Sequence, residues 1–293
     1  MKNPTFLLQA GGPLPTEKIA CSFSCYPIRY CSLAELTKLD PQEAKIRYIP
    51  VGSVEFVKAY GDHVGIRLPD DFSYGICDGD LDKFLMRTIR RGTYGEATLT
   101  DFIKPIEIKS FTGNVKGHLD MGTSDSIPND TPVWISEAVP FGAEFRFYVQ
   151  DFVGGGKVQG WSRYDDSNMQ CPEPDFGLVE AIMKELEGNG APGAYTVDIG
   201  WRCDLGRYCL VELNDAWALG LYENNDPQSN PPTRQQYADM LVSRWRQIVF
   251  CSLLDDANGS HDQLSWSHAT TELYHATDDY GDDYGDDYGE TTR

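Results

Sequence analysis

Two carboxylates and a carboxamide lie within one predicted β-hairpin, at residues 195–215. Two runs of β-branched, aromatic and apolar residues flank a turn there, which is typical of paired strands. If the turn is centred on Leu205, Asp198 lies directly across from Glu212, with Cβ atoms roughly 5 Å apart. Like charges at this spacing repel each other. Because hard oxygen ligands suit Mg²⁺, the hairpin predicts a magnesium site formed by Asp198, Glu212 and Asn214.

The faces of the hairpin bear on this prediction. Alternation along the second strand places four residues on one face: Tyr208, Leu210, Glu212 and Asn214. The alternative interpretation is an acidic pair on a solvated sheet face, without a metal. Apolar residues alternate with the acids, however, and the apolar run 216–221 follows directly. This setting is typical of the floor of a cleft and favours a bound cation.

Basic residues precede the hairpin at positions suited to phosphate groups. Lys104 lies at the end of the apolar strand 102–105, which a proline terminates, so its ammonium group has a fixed position. Lys109 and Lys116 bracket a small-residue loop. Backbone amides and ammonium groups in such a loop could cover phosphates, although a basic glycine-containing loop is weak evidence when taken alone.

Arg146 is a further candidate for an anion contact. On the predicted strand 143–150, Glu144, Arg146 and Tyr148 share one face and apolar residues share the other. Arg146 therefore either binds an anionic ligand or forms a structural ion pair with Glu144. The basic segment 84–92 has two similar interpretations, a solvated helix face or an anion contact.

The 293-residue chain is acidic and has the composition of a globular protein. Its formal net charge is −20, and 41% of its residues are hydrophobic. A surface this acidic disfavours non-specific binding to nucleic acids and anionic membranes, so we expect neither partner. The N-terminus has no apolar signal-peptide core, and no run of residues reaches transmembrane length. We therefore expect a cytoplasmic protein with reduced thiols.

The order of predicted elements indicates an α+β fold with three parts. Alternating strands and helices predict a small N-terminal α/β lobe over residues 1–95. An antiparallel meander, a helix over 175–186, the hairpin and a last helix predict a second part over residues 96–254. Residues 255–293 contain three copies of Asp-Asp-Tyr-Gly, which cannot form a core. They predict a disordered acidic tail that solubilises the protein or recruits a partner.

From about Phe102 to Tyr222 the chain resembles the ATP-grasp superfamily, and in particular a group of small ATP-grasp proteins from bacteria and their phages. The segments that carry the resemblance are Val-Asp-Ile-Gly at 197–200 and Leu-Val-Glu-Leu-Asn-Asp-Ala-Trp at 210–217, supported by Ile-Lys-Pro at 103–105, Phe-Thr-Gly at 111–113, Ser-Glu-Ala-Val at 136–139 and Glu-Phe-Arg-Phe-Tyr-Val at 144–149. The resemblance implies an ATP-grasp fold, in which two antiparallel-sheet lobes clasp a nucleotide. The N-terminal lobe matches only in general layout, and the tail does not match.

The resemblance also implies a role for individual residues. ATP and Mg²⁺ are the implied cofactors, and Lys104 and Arg146 are the implied catalytic residues. The implied nucleotide contacts are Lys104, Lys109, Lys116, Glu137, Val139 and Arg146. The implied magnesium ligands are Asp198, Glu212 and Asn214. The glycine-rich phosphate loop that is usual in the superfamily is short in this chain, at residues 109–117.

These residues imply an ATP-dependent ligase that joins a carboxylate to an amine or another nucleophile. The carboxylate substrate would become an acyl phosphate, which an amine or hydroxyl acceptor on a peptide, a protein or a small amino compound would attack. Two alternatives remain open. One is a phosphotransferase that uses the same ATP site, and the other is a non-catalytic nucleotide-binding module whose acidic tail recruits a partner. The carboxylates and hydroxyls of the tail are a further candidate substrate.

Overall fold

A computed structural model describes residues 4–258 of the chain, except 14, 77–78, 109, 121–125, 153–154, 166, 168 and 225. The predictions for Lys109 and for the tail over residues 259–293 therefore lie outside the described residues. The described part contains one parallel and two antiparallel sheets. This arrangement confirms the predicted α+β fold, with a small α/β lobe followed by two antiparallel-sheet lobes.

The N-terminal lobe alternates strands and helices. Its elements are β1 (Thr5–Gln9), α1 (Pro15–Ser22), β2 (Ile28–Cys31), a 3₁₀ helix (Leu33–Lys38), α2 (Pro41–Arg47), β3 (Tyr48–Val51) and α3 (Val54–Val64). The three strands are parallel, in the order β2-β1-β3. Phe6, Leu7 and Leu8 of the central strand are fully buried, since sheets of this type are covered on both faces. Ser53 begins α3 by accepting a backbone N–H of the first turn, and Gly65 ends it with a φ of 68°.

The second lobe is a four-stranded antiparallel sheet. After the short helix α4 (Asp82–Leu85) its strands are β4 (Ile89–Thr93), β5 (Asp101–Pro105), β6 (Asn114–Val115) and β7 (Pro132–Glu137), in the order β4-β7-β5-β6. One face packs a small core around Ile103 and Ile135, and alternation places Lys104 and Trp134 on the other face. By sheet membership β4 already belongs to this lobe. The boundary after residue 95 stays a prediction of domain organisation.

The third sheet carries the predicted hairpin. Its strands are β8 (Phe141–Phe152), β9 (Gly155–Arg163), β10 (Ala194–Arg202) and β11 (Arg207–Asp215), in the order β11-β10-β8-β9, and helix α5 (Phe176–Gly188) precedes β10. As its periodicity predicted, α5 buries Val179, Ile182 and Leu186, which join Phe145 and Phe147 of β8 in one core. That core covers one face of the sheet. The opposite face carries polar residues, and its Tyr148 and Ala194 join the core of the N-terminal lobe.

The hairpin pairs Asp198 with Glu212, as predicted, although its register differs from the expected one. Beyond the turn Ile199 pairs with Leu210, so that Val211 has no partner and forms a β-bulge. The bulge shifts the pairing by one residue and thereby brings Glu212 opposite Asp198. Without this extra residue the turn would place Val211 opposite Asp198.

The bulge also corrects the prediction of the faces. Residues paired directly across two strands share a face, so Tyr208 and Leu210, paired with Trp201 and Ile199, lie on the core side of the sheet. The prediction that they share a face with Glu212 and Asn214 was wrong, because strict alternation fails at a bulge.

Arg87 holds the bulge in place. Its Nη1 and Nη2 donate to the carbonyl oxygens of Leu210 and Val211 at 2.7 and 2.6 Å. The basic segment 84–92 is therefore not one solvated helix: α4 ends at Leu85, and β4 begins at Ile89. The helical interpretation of this segment was wrong, and Arg87 binds backbone carbonyls.

The last helix, α6 (Arg234–Asn258), returns to the N-terminal lobe. Its residues Tyr237, Trp245 and Ile248 join the core of that lobe, and the rings of Trp245 and Tyr60 lie 5.8 Å apart. Within residues 4–258, apart from the gaps given above, no helix combines the length and apolarity needed to cross a membrane.

Candidate active site

A row of polar side chains, here called the carboxylate row, crosses the face of the third sheet opposite α5. Across strands β9, β8, β10 and β11, direct pairing gives the order Ser162, Arg146, Asp198 and Glu212. Neighbouring strands lie about 4.8 Å apart, so each side chain in the row can contact the next. Asn214 lies two residues farther along β11, on the same face as Glu212 and opposite Thr196. The sheet thus brings the predicted metal ligands and Arg146 together.

Arg146 and Asp198 form a buried bidentate ion pair. Nε of Arg146 lies 2.9 Å from Oδ1 of Asp198, and Nη2 lies 2.6 Å from Oδ2. The side chain of Asp198 is 0% exposed and that of Arg146 is 9% exposed. Burial raises the pKa of Asp198 above its ordinary value, although the positive charge of Arg146 acts to lower it. For Arg146, burial acts to lower the pKa, but the carboxylate of Asp198 outweighs burial and holds the pKa well above its ordinary value. The partner of Arg146 is therefore Asp198, not Glu144 as one interpretation of the sequence had it.

Lys104 joins the second sheet to the third. Its Nζ lies 2.6 Å from Oε2 of Glu212 and 2.5 Å from Oγ of Ser73. Burial acts to raise the pKa of Glu212, but Lys104 outweighs burial and holds this pKa below its ordinary value. Glu212 is therefore ionised at neutral pH, and the ammonium group of Lys104 compensates its charge.

Ser73 belongs to a loop that the sequence did not connect with the site. Its hydroxyl donates to Asp71 at 2.5 Å, and the other carboxylate oxygen of Asp71 accepts the indole N–H of Trp134 at 3.0 Å. The carbonyl oxygen of Ser73 accepts the backbone N–H of Leu213 at 2.8 Å. The loop is thus fixed both to the second sheet and to β11, and it positions a hydroxyl beside Lys104. Asp-Phe-Ser at 71–73 has no periodicity or motif that would have indicated this role.

Asn214 bridges the two carboxylates. Its Nδ2 lies 3.1 Å from Oδ2 of Asp198 and 3.1 Å from Oε1 of Glu212. Among the described residues, no group of three or more His, Cys, Asp and Glu side chains is arranged to hold a metal ion. Two carboxylates and a carboxamide oxygen are nevertheless a donor set that suits Mg²⁺, which commonly takes its other ligands from water and substrate phosphates. The three residues therefore fit a magnesium ion that binds together with a nucleotide.

Two aromatic rings cover Arg146. The rings of Tyr164 and Tyr222 are stacked 5.2 Å apart, and the guanidinium carbon of Arg146 lies 5.5 and 5.1 Å from their centres. Burial raises the pKa of Tyr164 well above its ordinary value, so its hydroxyl stays protonated and donates to Glu144 at 2.6 Å. The two rings, here called the aromatic cage, both lie within cation–π distance of the guanidinium group. Tyr164 and Tyr222 were not predicted, because their positions depend on two separate connections meeting in the fold.

The remaining predicted nucleotide contacts lie in the second lobe. Nζ of Lys116 donates to the carbonyl oxygens of Tyr94 and Ala97 at 2.7 and 2.8 Å. The exposed Glu137 accepts the backbone N–H of Thr88 at 3.3 Å, and Val139 is half-buried in the connection between β7 and β8. The structure does not bring these three residues to the carboxylate row. Their contacts with a nucleotide stay predictions.

The three-sheet architecture and the row of cations and carboxylates between two antiparallel sheets define an ATP-grasp enzyme. The sequence model of the ATP-grasp domain, R2K clade family 3, matches residues 26–248, and the chain belongs to this family. It is an ATP-dependent ligase of the ATP-grasp type.

Several solved structures are similar to the chain. The chain is similar to D-alanine–D-alanine ligase from Bacillus anthracis in complex with ATP, with a TM-score of 0.50 and 14% identity over 84% of this chain and 98% of that one. It is also similar to N5-carboxyaminoimidazole ribonucleotide synthetase in complex with ADP, with a TM-score of 0.49 and 15% identity over 83% and 77% of the two chains. An L-amino acid ligase from Bacillus licheniformis has a TM-score of 0.42 and 10% identity over 73% and 67%. No curated protein matches the chain by sequence.

Proposed function

We propose that this ligase uses ATP to convert a carboxylate substrate into an acyl phosphate, which an amine or another nucleophile then attacks. The acceptor belongs to a peptide, a protein or a small amino compound. The observation that carries the proposal is that each site carboxylate is paired with a protein cation, Glu212 with Lys104 and Asp198 with Arg146. Cations placed in this way can neutralise the charge that develops on phosphate oxygens during phosphoryl transfer.

Lys104 is proposed to contact the phosphates of ATP bound between the second and third sheets. Asp198, Glu212 and Asn214 would hold Mg²⁺, which neutralises phosphate charge when it is bound. A divalent cation compensates Glu212 more strongly than one ammonium group does. Lys104, whose stem is held in β5, would then be available to bind phosphate.

Arg146 is proposed to bind the transferred phosphoryl group. Its Nε and Nη2 bind Asp198, whereas Nη1 makes no hydrogen bond within the described residues. Gly220 adjoins this nitrogen, since a Cβ atom built there would lie 3.7 Å from Nη1. The same Cβ atom would lie 3.6 Å from Oε1 of Glu17. Nη1 is the nitrogen of Arg146 that would bind a phosphoryl oxygen. Phosphoryl transfer and acyl transfer of this kind need no protein nucleophile.

Trapping with hydroxylamine tests the proposal. Wild-type protein is incubated with Mg-ATP, hydroxylamine and a panel of N-acyl amino acids and short peptides, and ADP, phosphate and hydroxamate are measured. A ligase yields all three in equal amounts, because hydroxylamine attacks the acyl phosphate and releases phosphate. A phosphotransferase yields ADP and a stable phosphorylated product, and a binding module yields no ADP.

The matched variants are Glu212→Gln and Glu107→Gln. Glu212→Gln removes the site carboxylate and is expected to abolish ADP formation. Glu107 also pairs with a lysine, Lys58, but its side chain is 73% exposed, so Glu107→Gln is expected to retain wild-type activity. Undiminished ADP formation by Glu212→Gln would refute the proposed metal site.

A further inference from the structure

A cavity of about 270 Å³ lies where the N-terminal lobe meets the segment after β11 and helix α6. One wall is the turn between β3 and α3, and the opposite wall is the 3₁₀ helix at Ala216–Ala218 that follows β11. Most of the lining is apolar, with Val51, Val54, Leu219 and Leu241 among its residues. The cavity belongs neither to the carboxylate row nor to the space between the two antiparallel sheets.

The cavity lies where parallel sheets commonly bind ligands. The chain leaves β1 for β2 on one side and later adds β3 on the other side, so the strand order reverses between β1 and β3. Ligands bind outside the carboxyl ends of the strands at such a switch point. Pro13, after β1, and Gly52 and Ser53, after β3, all line the cavity. The fold therefore places the cavity at the expected end of this sheet.

The cavity is also close to the reacting groups. Trp217 lines it and lies three residues after Asn214 in the chain. Three residues span at most about 11 Å, so the wall of the cavity lies within about 11 Å of a proposed magnesium ligand. A group held in the cavity can reach the row without a long spacer.

Size and chemistry indicate what the cavity accepts. An apolar cavity of about 150 Å³ holds benzene, so 270 Å³ accommodates a side chain as large as that of phenylalanine. The lining is mostly apolar, and burial of an apolar group against it is stabilising.

We infer that this cavity binds the apolar side chain, leucine-sized to phenylalanine-sized, of an amino-acid or peptide substrate. The reacting group of that substrate then lies toward Asn214 and Arg146. The role of this group in the reaction depends on the proposed function, whereas the binding of the side chain does not. Substrate selectivity would then be set where the N-terminal lobe meets the segment after β11 and helix α6.

Two pairs of probes test the inference by calorimetry, with and without Mg²⁺ and a non-hydrolysable ATP analogue. L-Phenylalaninamide has only the amine, and N-acetyl-L-phenylalanine has only the carboxylate; L-alaninamide and N-acetyl-L-alanine are their small counterparts. We expect at least one phenylalanine probe to bind about tenfold or more tightly than its alanine counterpart, the effect of burying a large apolar side chain. The probe that shows this preference identifies which substrate occupies the cavity.

The variant Ala218→Leu narrows the cavity, which Ala218 lines. It is expected to abolish the preference for phenylalanine, while the exposed control Ala34→Leu keeps it. A Mg-ATP-dependent rise in melting temperature that is unchanged in Ala218→Leu shows that the fold and the nucleotide site are intact; if this variant does not fold, Val54→Leu replaces it. Three results would overturn the inference: equal affinity of the phenylalanine and alanine probes in both pairs, no binding of any probe, or a preference for phenylalanine that survives Ala218→Leu. Absence of any response to Mg-ATP in the wild type would instead refute the proposed function.

Discussion

Replacing Lys104 by methionine removes the positive charge that compensates Glu212 in the site. The ammonium nitrogen lies 2.6 Å from Glu212, and the two side chains are 20% and 24% exposed. Breaking a fully buried pair costs about 3–5 kcal/mol, and breaking an exposed pair costs at most about 1 kcal/mol. Because both side chains are partly exposed, we expect Lys104→Met to lower the free energy of unfolding by about 2 kcal/mol at pH 7.

The pH dependence of this loss distinguishes it from a packing defect. In the wild type the pKa of Glu212 is held below its ordinary value, so its stabilising contribution is present above about pH 4.3 and is lost as pH falls through the folded-state pKa. Without Lys104, burial raises the pKa of Glu212, and the folded state favours the protonated carboxyl group. The difference between wild type and variant is therefore expected to narrow as pH falls from 7 toward about 4.

Urea denaturation at several pH values measures both effects. Lys58→Met is the matched control, because Lys58 forms an ion pair with Glu107 at the surface and its loss is expected to cost less than about 1 kcal/mol at every pH. Lys104→Met should also bind Mg²⁺ more tightly than the wild type in the absence of nucleotide, since Glu212 no longer has a competing cation. Parallel pH profiles for Lys104→Met and the wild type would falsify the assignment of Lys104 as the counter-charge of Glu212.

Three further substitutions test the frame of the site. Arg87→Met removes two charged hydrogen bonds to the bulge. We expect it to lower the free energy of unfolding, measured by urea denaturation, by about 2–3 kcal/mol. A similar decrease in the exposed control Arg90→Met would contradict this account. Asp198→Asn leaves Arg146 buried without its counter-charge, so we expect a loss of about 3–5 kcal/mol and no rise in melting temperature with Mg-ATP. Tyr222→Leu removes one ring from Arg146 and should cost about 0.5–2 kcal/mol; calorimetric unfolding that shows no change would argue against the cage.

Local sequence patterns predicted the elements that carry the site. Alternation placed Arg146 on the polar face of β8, and the apolar stripe of α5 was correctly identified. The hairpin also brought Asp198 and Glu212 together, but the sequence argument assumed a symmetric turn. The observed pairing depends on the bulge at Val211, and no local pattern distinguishes a bulged residue from an ordinary apolar strand residue.

Long-range contacts were the part that sequence patterns could not supply. Ser73 reaches Lys104 from a connection without periodicity, and Tyr164 meets Tyr222 only because two distant connections converge. The sequence argument singled out Arg146 and left two partners open, an anionic ligand and Glu144. The fold gave it Asp198, since neighbours across a sheet are set by strand order, which one sequence does not reveal.

The return of α6 to the N-terminal lobe has a consequence for biosynthesis. Tyr60 and Trp245 are in ring contact, so the N-terminal lobe acquires part of its core only from a segment that is synthesised about 180 residues later. Contacts of such high sequence separation slow folding, and the unfinished lobe exposes apolar surface in the meantime. Nascent chains that end before Arg234 are therefore expected to depend on chaperones, and the N-terminal lobe expressed alone is expected to aggregate.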